Sequence, residues 1–274
     1  MINKRSNLFS FFILIGIAAG CGVSPVKPFV SGGPDGPDDP ADDDNLPTPS
    51  KQLYVTSGGS AVGDGTISNP FRTLQAAINK AAADTEIRIA AGTYSETIQL
   101  KDGVSLRGGF SALDWKVNDP AKHITAITDP TIVGGVDIDV PVGAVVISGA
   151  SKAMMISNLT IYAASVDNDT SNSVNFNESS TGVLIRDSSN VFLRNVKVLG
   201  GTSGRFTMAV VVDGSSANIA DSTLTAGQGN FGYALYTRGA SSIAVVRNKI
   251  QGDGNNASIG IFSESSKDLQ VHKN

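Results

Sequence analysis

The stretch from Gly182 to Asn274 repeats every 26 residues without a gap, and a period of that length dictates a stacked architecture before any single residue is weighed. Aligned at that spacing, the columns read Val183, Ala209, Leu235, Ile261; Val191, Ala217, Ile243, Leu269; Leu193, Ile219, Val245, Val271; and Val198, Leu224, Ile250. Each column is apolar throughout. The neighbouring columns Arg194, Ala220, Val246, His272 and Asn195, Asp221, Arg247, Lys273 are mixed or polar, which is the alternation of a half-buried strand. No repeat unit carries an apolar stripe at 3.6-residue spacing, whereas Val-x-Ile and Val-x-Leu pairs recur at period two, so the helical solenoids are excluded and a β-solenoid is expected.

Within a coil, TGVLIR reads as one strand, DSSN as a turn, and VFLRNVKVLG as two more strands with a bend between them. Stacked coils bring equal positions about 4.8 Å apart. One inward column is then polar: Val196, Ser222, Asn248, Asn274. Asparagine stacked on asparagine at a bend shares amide hydrogen bonds along the stack and satisfies donors that burial would otherwise orphan, so a structural role is expected for Asn248 and Asn274. Upstream, Met154, Ile156, Leu159 and Ile161 stand where Val191, Leu193, Val196 and Val198 stand, at an offset of 37, which implies about 11 inserted residues before Gly182. Aromatics make up only 6% of the 274 residues and there are 30 glycines, a composition that suits a thin solenoid interior. The sequence stops at Asn274, on a core position in mid-coil, from which a truncated chain is expected.

The first 21 residues read as a targeting segment. Lys4 and Arg5 make a basic start, Leu8 to Ala19 is apolar, and Ala18, Ala19 and Gly20 precede Cys21. The pattern resembles a bacterial lipoprotein signal peptide, which implies cleavage before Cys21, lipid attachment to it, and a place on the outer membrane or cell surface; Ala18 departs from the leucine usual there. An ordinary signal peptide with a chance cysteine is the alternative. Cys21 is the only cysteine, so no disulfide forms within the chain. Residues 22–50 are rich in Pro, Gly, Asp and Ser, and six aspartates there repel one another, so the segment reads as an extended tether reaching up to ~90 Å. Without the leader and tether, the domain 51–274 holds 18 basic and 19 acidic groups, near neutrality, which argues against nucleic acid as a partner. A monomer is expected. His123 and His272 are isolated and build no metal site by themselves.

The opening of the domain carries a family resemblance in Tyr54-Val55, Gly63-Asp64-Gly65-Thr66, Asn69-Pro70-Phe71, Thr73, Ala76-Ala77, Gly92-Thr93-Tyr94, Gly108-Gly109-Phe110 and Trp115. It resembles an uncharacterised family of bacterial surface and secreted proteins of the pectin-lyase-like type. The resemblance implies an all-β fold, a right-handed single-stranded parallel β-helix, and no settled activity. Asn69 as N-cap, Pro70 as first helical residue, and an apolar face of Phe71, Leu74, Ala77, Ile78 and Ala81 predict a short helix over 71–83 that caps the open end of the stack. The signatures of pectin-lyase-like enzymes are missing. There is no Gly-His-Gly, Arg-Ile-Lys or Arg-x-Pro-x-x-Arg segment, and Asp-Asp pairs occur only in the tether, so no catalytic residue carries over.

Two features stand out as candidate sites. The outward column Leu184, Val210, Tyr236, Phe262, flanked by Arg186, Val212, Arg238, Glu264 and by Asp187 and Asp213, forms an apolar stripe with Arg186 and Arg238 two coils apart, roughly 10 Å. Arg186, Tyr236, Arg238 and Phe262 are the candidate ligand contacts, suited to an acidic glycan or a partner carboxylate; a bulge turning the column inward, or loops covering it, is the alternative. The second is the insert Asp167 to Glu178, which spaces Asp167, Asp169, Ser171 and Glu178 as in a calcium loop, with Asn172 where glycine is usual. Turn loops GGTSGRF, AGQGNFG and GDGNNAS align Thr202, Gln228 and Gly254 in one row and Ser203, Gly229 and Asn255 in the next, with Phe206 and Phe231 nearby: ordinary turns or a sugar-binding rim. The expectation is a lipid-anchored, non-catalytic surface protein presenting a sheet face and loops to a polysaccharide or surface protein. The alternative is a polysaccharide lyase or hydrolase using Arg186, Arg238, Asp187 and Asp213.

Overall fold

The computed structural model describes residues 46–128, 143–165, 179–203 and 206–274. Strand β1 (Lys51–Ser60) and helix α1 (Leu74–Lys80) are followed by β2 (Thr85–Ala90), β3 (Gly92–Ser95), β4 (Ile98–Leu100), β5 (Val104–Phe110), β6 (Thr125–Thr128), β7 (Val145–Ser148), β8 (Met154–Ser157) and β9 (Thr160–Tyr162). The regular coils then run β10 (Ser179–Arg186), β11 (Val191–Arg194), β12 (Lys197–Leu199); β13 (Phe206–Asp213), β14 (Ser216–Ala220), β15 (Thr223–Thr225); β16 (Phe231–Arg238), β17 (Ser242–Val246), β18 (Lys249–Gln251); and β19 (Ala257–Glu264), β20 (Leu269–His272). From β2 onward, every third strand joins the same sheet, and β1 pairs beside β2. A long sheet is ordered β1-β2-β5-β8-β11-β14-β17-β20, a front sheet β19-β16-β13-β10-β7-β4, and a narrow sheet β18-β15-β12-β9-β6-β3. Neighbouring strands pair in parallel throughout the three sheets, so the chain winds as a right-handed parallel β-helix.

The long and narrow sheets hold the expected columns. Val191 pairs with Ala217, Ala217 with Ile243 and Ile243 with Leu269; Leu193 stacks on Ile219, Val245 and Val271; and Met154 and Ile156 pair with Val191 and Leu193 at the offset of 37. The corner between these sheets is one residue at positive φ in each coil: Asn158, Asn195, Asp221, Arg247 and Lys273. Asn and Asp accept that conformation with least strain, which explains the polar column beside the apolar one. The next position turns inward. Val196 N donates to Ser222 Oγ (3.1 Å), Ser222 N to Asn248 Oδ1 (2.9 Å) and Asn248 N to Asn274 Oδ1 (2.7 Å), so the polar stack expected from sequence is present. A second stack, not foreseen, lies at the corner between front and long sheets, where Ala150 N donates to Ser188 Oγ and Ser188 N to Ser215 Oγ.

The front sheet departs from the gapless alignment. Val183 pairs with Val210, not Ala209, and Val210 with Leu235, so the offsets there are 27 and then 25. The coil of β13 has one residue more in the turn before that strand and one fewer after it, Gly214-Ser215-Ser216 against Asp187-Ser188-Ser189-Asn190. The two changes cancel over a full coil, which is why the period conceals them. Ala209 remains fully buried, as does Ala234 one coil on; each precedes another inward residue, and because paired strands share this break in alternation the register across them stays constant.

Helix α1 begins later than predicted. Thr73 is its N-cap and accepts from Ala76 N, while Asn69 closes a turn with Thr66 and Asp64 and Phe71 bridges to Val55 and Ser60, so residues 69–72 are held outside the helix. Glu96 completes the cap, accepting from Leu74 N (2.8 Å) and Gln75 N (3.0 Å). Leu74, Ala77, Ile78 and Ala81 are buried as expected and belong to the single core that runs to Val245.

Candidate functional site

Alternation along the front strands places four rows on the solvent side of the front sheet. Following the pairing, they are Ser179, Phe206, Phe231, Ala257; Thr181, Met208, Tyr233, Ile259; Val146, Leu184, Val211, Tyr236, Phe262; and Ser148, Arg186, Asp213, Arg238, Glu264. The sequence columns thus need two corrections: Val211 stands where Val210 was expected, and Asp213 where Val212 was. Val210 and Val212 point into the core at 0% exposure, because the shift of one residue in β13 exchanges the two faces.

The face is apolar at one end and aromatic at the other. Val146, Leu184 and Val211 form a buried outer cluster against which Met208 and Tyr236 pack. Phe206 stacks on Phe231 with centroids 5.4 Å apart, Tyr233 meets Tyr236 edge to face at 5.8 Å, and Tyr236 stacks on Phe262 at 5.6 Å and 14°. Tyr233 also contacts Phe262 (5.6 Å) and Phe206 (6.2 Å), so five rings from three successive coils form one continuous surface. Phe262 is 39% exposed. Beside the rings, Thr202 bridges to Gln228 and Asn255 N donates to Gly229 O, which seats the turn rows as aligned from sequence.

The charged row is neutralised along its own length. Arg238 grips Asp213 with two hydrogen bonds, Nε to Oδ1 at 3.0 Å and Nη2 to Oδ2 at 2.6 Å, while Arg186 Nε approaches Asp213 Oδ2 at 3.3 Å from the other side. Burial alone raises the Asp213 carboxyl, but the hydrogen bond and charge of Arg238, with the charge of Arg186, outweigh it and hold the group below its ordinary value. The Arg238 guanidinium is raised in turn by its hydrogen bond to Asp213. The Tyr236 hydroxyl donates to Glu264 Oε2 (2.8 Å), and burial together with that bond pushes its pKa up to about 12. Burial also raises Tyr233. Arg186 and Arg238 therefore lie two coils apart as expected, with a carboxylate between them that the sequence column had missed.

Of the other sequence candidates, Cys21, Asp167, Asp169, Ser171 and Glu178 lie outside the described residues. Among the described residues no group of three or more His, Cys, Asp or Glu is placed to hold a metal ion. Sequence reasoning found Tyr236 and Phe262 and noted Phe206 and Phe231, but missed Tyr233 and Met208. The signal was available: in Tyr-Ala-Leu-Tyr (233–236) two aromatics stand three apart around two consecutive inward residues, a break in alternation that leaves both rings on one face.

The stacked rungs and the three parallel sheets define a right-handed parallel β-helix whose front sheet carries an aromatic surface. Within that class, the chain belongs to the family described as Protein of unknown function (DUF1565), which matches residues 56–274. A curated relative, the uncharacterized protein YwoF of Bacillus subtilis (strain 168), is 51% identical over 49 residues, covering 18% of this chain and 10% of that protein. Similar solved structures include pectin methylesterase PemA from Erwinia chrysanthemi (16% identity, 71% of this chain and 55% of that chain, TM-score 0.44) and pectate lyase Pel9A (10% identity, 73% and 50%, TM-score 0.43). A third is the GH136 lacto-N-biosidase from Eubacterium ramulus (11% identity, 81% and 55%, TM-score 0.44). The chain spans about half the length of each of these three structures and a tenth of the curated relative.

Proposed function

We propose that this chain is a lipid-anchored bacterial surface protein that binds a glycan or a protein partner on the outer face of its front sheet and does not chemically transform it. The observation that carries the reading is the ring surface of Phe206, Phe231, Tyr233, Tyr236 and Phe262. Such rings offer large, rigid contact area at low conformational cost, and sugar C–H groups pack against their faces. The charges beside the rings are spent on one another, Asp213 being held between Arg186 and Arg238, so the rings are the contact surface the face offers. Lipid attachment at Cys21 and the acidic tether would hold this face away from the outer membrane or cell surface.

The test is a glycan and surface-protein binding screen with the full chain and its Tyr236→Ala/Phe262→Ala double variant, run beside assays for new reducing ends and unsaturated products. Binding that falls at least tenfold in the double variant, without turnover, is the expected result. Turnover abolished by Arg238→Ala would replace it with the polysaccharide lyase or hydrolase reading. Anchoring is checked separately: Cys21→Ser is expected to lose incorporated fatty acid and move from the membrane to the soluble fraction.

A further inference from the structure

The outer face of the narrow sheet is composed unlike that of the front sheet. Read along the strand pairing, one outward row is Thr93, Ala126, Thr160, Lys197, Thr223, Lys249. The row beside it is Ser95, Thr128, Tyr162, Leu199, Thr225, Gln251. Hydroxyls dominate both rows, Lys197 and Lys249 are their only charges, and neither row holds a carboxylate. Threonine suits a strand by propensity alone, but the lysines and the tyrosine do not follow from that. The six strands stay in register, so the two rows run side by side along the helix axis for about 24 Å.

Among the described residues, no polar side chain of this strip holds a hydrogen bond or an ion pair, and Thr93, Ser95, Tyr162, Lys197, Lys249 and Gln251 are exposed. Cations nearby are placed differently. Arg186 and Arg238 share Asp213 on the front sheet, and Arg247 at the adjoining corner grips Asp221 with bonds of 2.7 and 2.8 Å, so the corner carboxylate beside the strip is already held. Asp253 stands beyond the end of β18, in the turn toward the front sheet. Lys197 and Lys249 are two rungs apart in one row, about 10 Å, with Thr223 between them. In the other row the Tyr162 ring is 41% exposed and meets no other ring among the described residues, with Leu199 one rung on.

We propose that the outer face of the narrow sheet binds an acidic polysaccharide laid along the helix axis, with an anionic group on every second sugar. Charge complementarity sets the sign of the occupant: two ammonium groups with no carboxylate in their rows attract an anion. Spacing sets its repeat. Two rungs are close to the length of two sugars in an extended β-linked chain, so alternate sugars bring their acidic groups to Lys197 and Lys249. The sugar between them faces Thr223, whose hydroxyl both donates and accepts, as sugar hydroxyls require. Tyr162 offers an apolar ring face to a further sugar, a contact that a phosphate polymer has no group to use. Two lysines are also too short a track for nucleic acid, whose binding rests on many phosphate contacts. The strip shares no residue with the front-sheet surface and does not depend on that surface binding anything.

The experiment titrates the full chain by calorimetry with a hexasaccharide of alternating glucuronate and N-acetylglucosamine, an N-acetylglucosamine hexamer, and a single-stranded DNA hexanucleotide, at low and physiological salt. The acidic hexasaccharide is expected to bind at least tenfold tighter than either control and to weaken as salt screens the lysines. Lys197→Gln/Lys249→Gln is expected to lose at least tenfold in affinity and most of the salt dependence, whereas Tyr162→Ala loses several-fold with the salt dependence kept. Thr223→Glu sets a carboxylate between the two lysines and is expected to abolish binding while the chain stays folded, checked by its thermal midpoint. Lys267→Gln, in an exposed turn, leaves the binding unchanged, and so does Tyr236→Ala/Phe262→Ala, which keeps the strip distinct from the front-sheet reading. No binding of the acidic hexasaccharide at low salt, or binding untouched by Lys197→Gln/Lys249→Gln and by Thr223→Glu, overturns the site. The neutral hexamer binding as tightly overturns the acidic ligand, and the oligonucleotide doing so overturns a polysaccharide as the occupant.

Discussion

At the scale of single residues, the polar stack at the corner between long and narrow sheets shows how little freedom a solenoid leaves. Asn248 is 4% exposed; its Oδ1 accepts from Ser222 N, and its Nδ2 donates to Ile219 O (2.9 Å) and Asn274 Oδ1 (3.0 Å). Alanine there strands a backbone donor and a backbone acceptor in the interior, a loss of about 3 kcal/mol that denaturant unfolding would register. The role of this residue is legible in the sequence, because a polar group that recurs in an inward column must pair with the coils above and below it or stay unpaired in the core. Asp213 was not so legible. Its partners became visible only with the register, and they make its carboxyl a stabilising group whose folded pKa lies below the unfolded value near 3.9. Its contribution is therefore complete above that unfolded value and fades as pH falls through the lower folded one. Asp213→Asn is expected to lower the melting temperature at neutral pH and to flatten its decline between pH 4 and 2, measured by calorimetry across that range.

At the scale of elements, the apolar spacing of Leu74, Ala77 and Ile78 announced the helix, while its start was set by contacts that no local pattern encodes. Asn69 has the chemistry of an N-cap, yet its backbone is engaged in the turn with Asp64 and Thr66, and the free N–H groups of Leu74 and Gln75 find Glu96, a residue more than 20 positions away. Glu96→Ala should cost about 1 kcal/mol and fray this cap first, detectable as faster hydrogen exchange in residues 74–80 with the coils beyond unaffected. The turns before β13 and β16 are constrained by approach. A Cβ on Gly227 would collide with the carbonyl oxygen of Gly201 and the backbone of Gly200 in the coil below. Gly227→Ala is expected to lose about 2 kcal/mol by forcing those coils apart, with the loss read from thermal melts.

At the scale of the whole molecule, a residue count fixes how many rungs there are but not how each face is composed. A compensating insertion and deletion around β13 leaves the 26-residue period intact and still moves a carboxylate into the row of Arg186 and Arg238, so the front face changes from a pair of open cations to a neutral border beside aromatic rings. The core, however, depends only on the inward columns, and these are continuous from Val55 near the helix to Val245. Because each coil rests on its two neighbours alone, damage should stay local. Ile219→Ala, at a fully buried site, removes packing worth about 2 to 5 kcal/mol. Hydrogen exchange is expected to quicken in β11, β14 and β17 well before it does in β1 and β2; uniform quickening along the whole chain would instead mean that the rungs unfold as one cooperative unit.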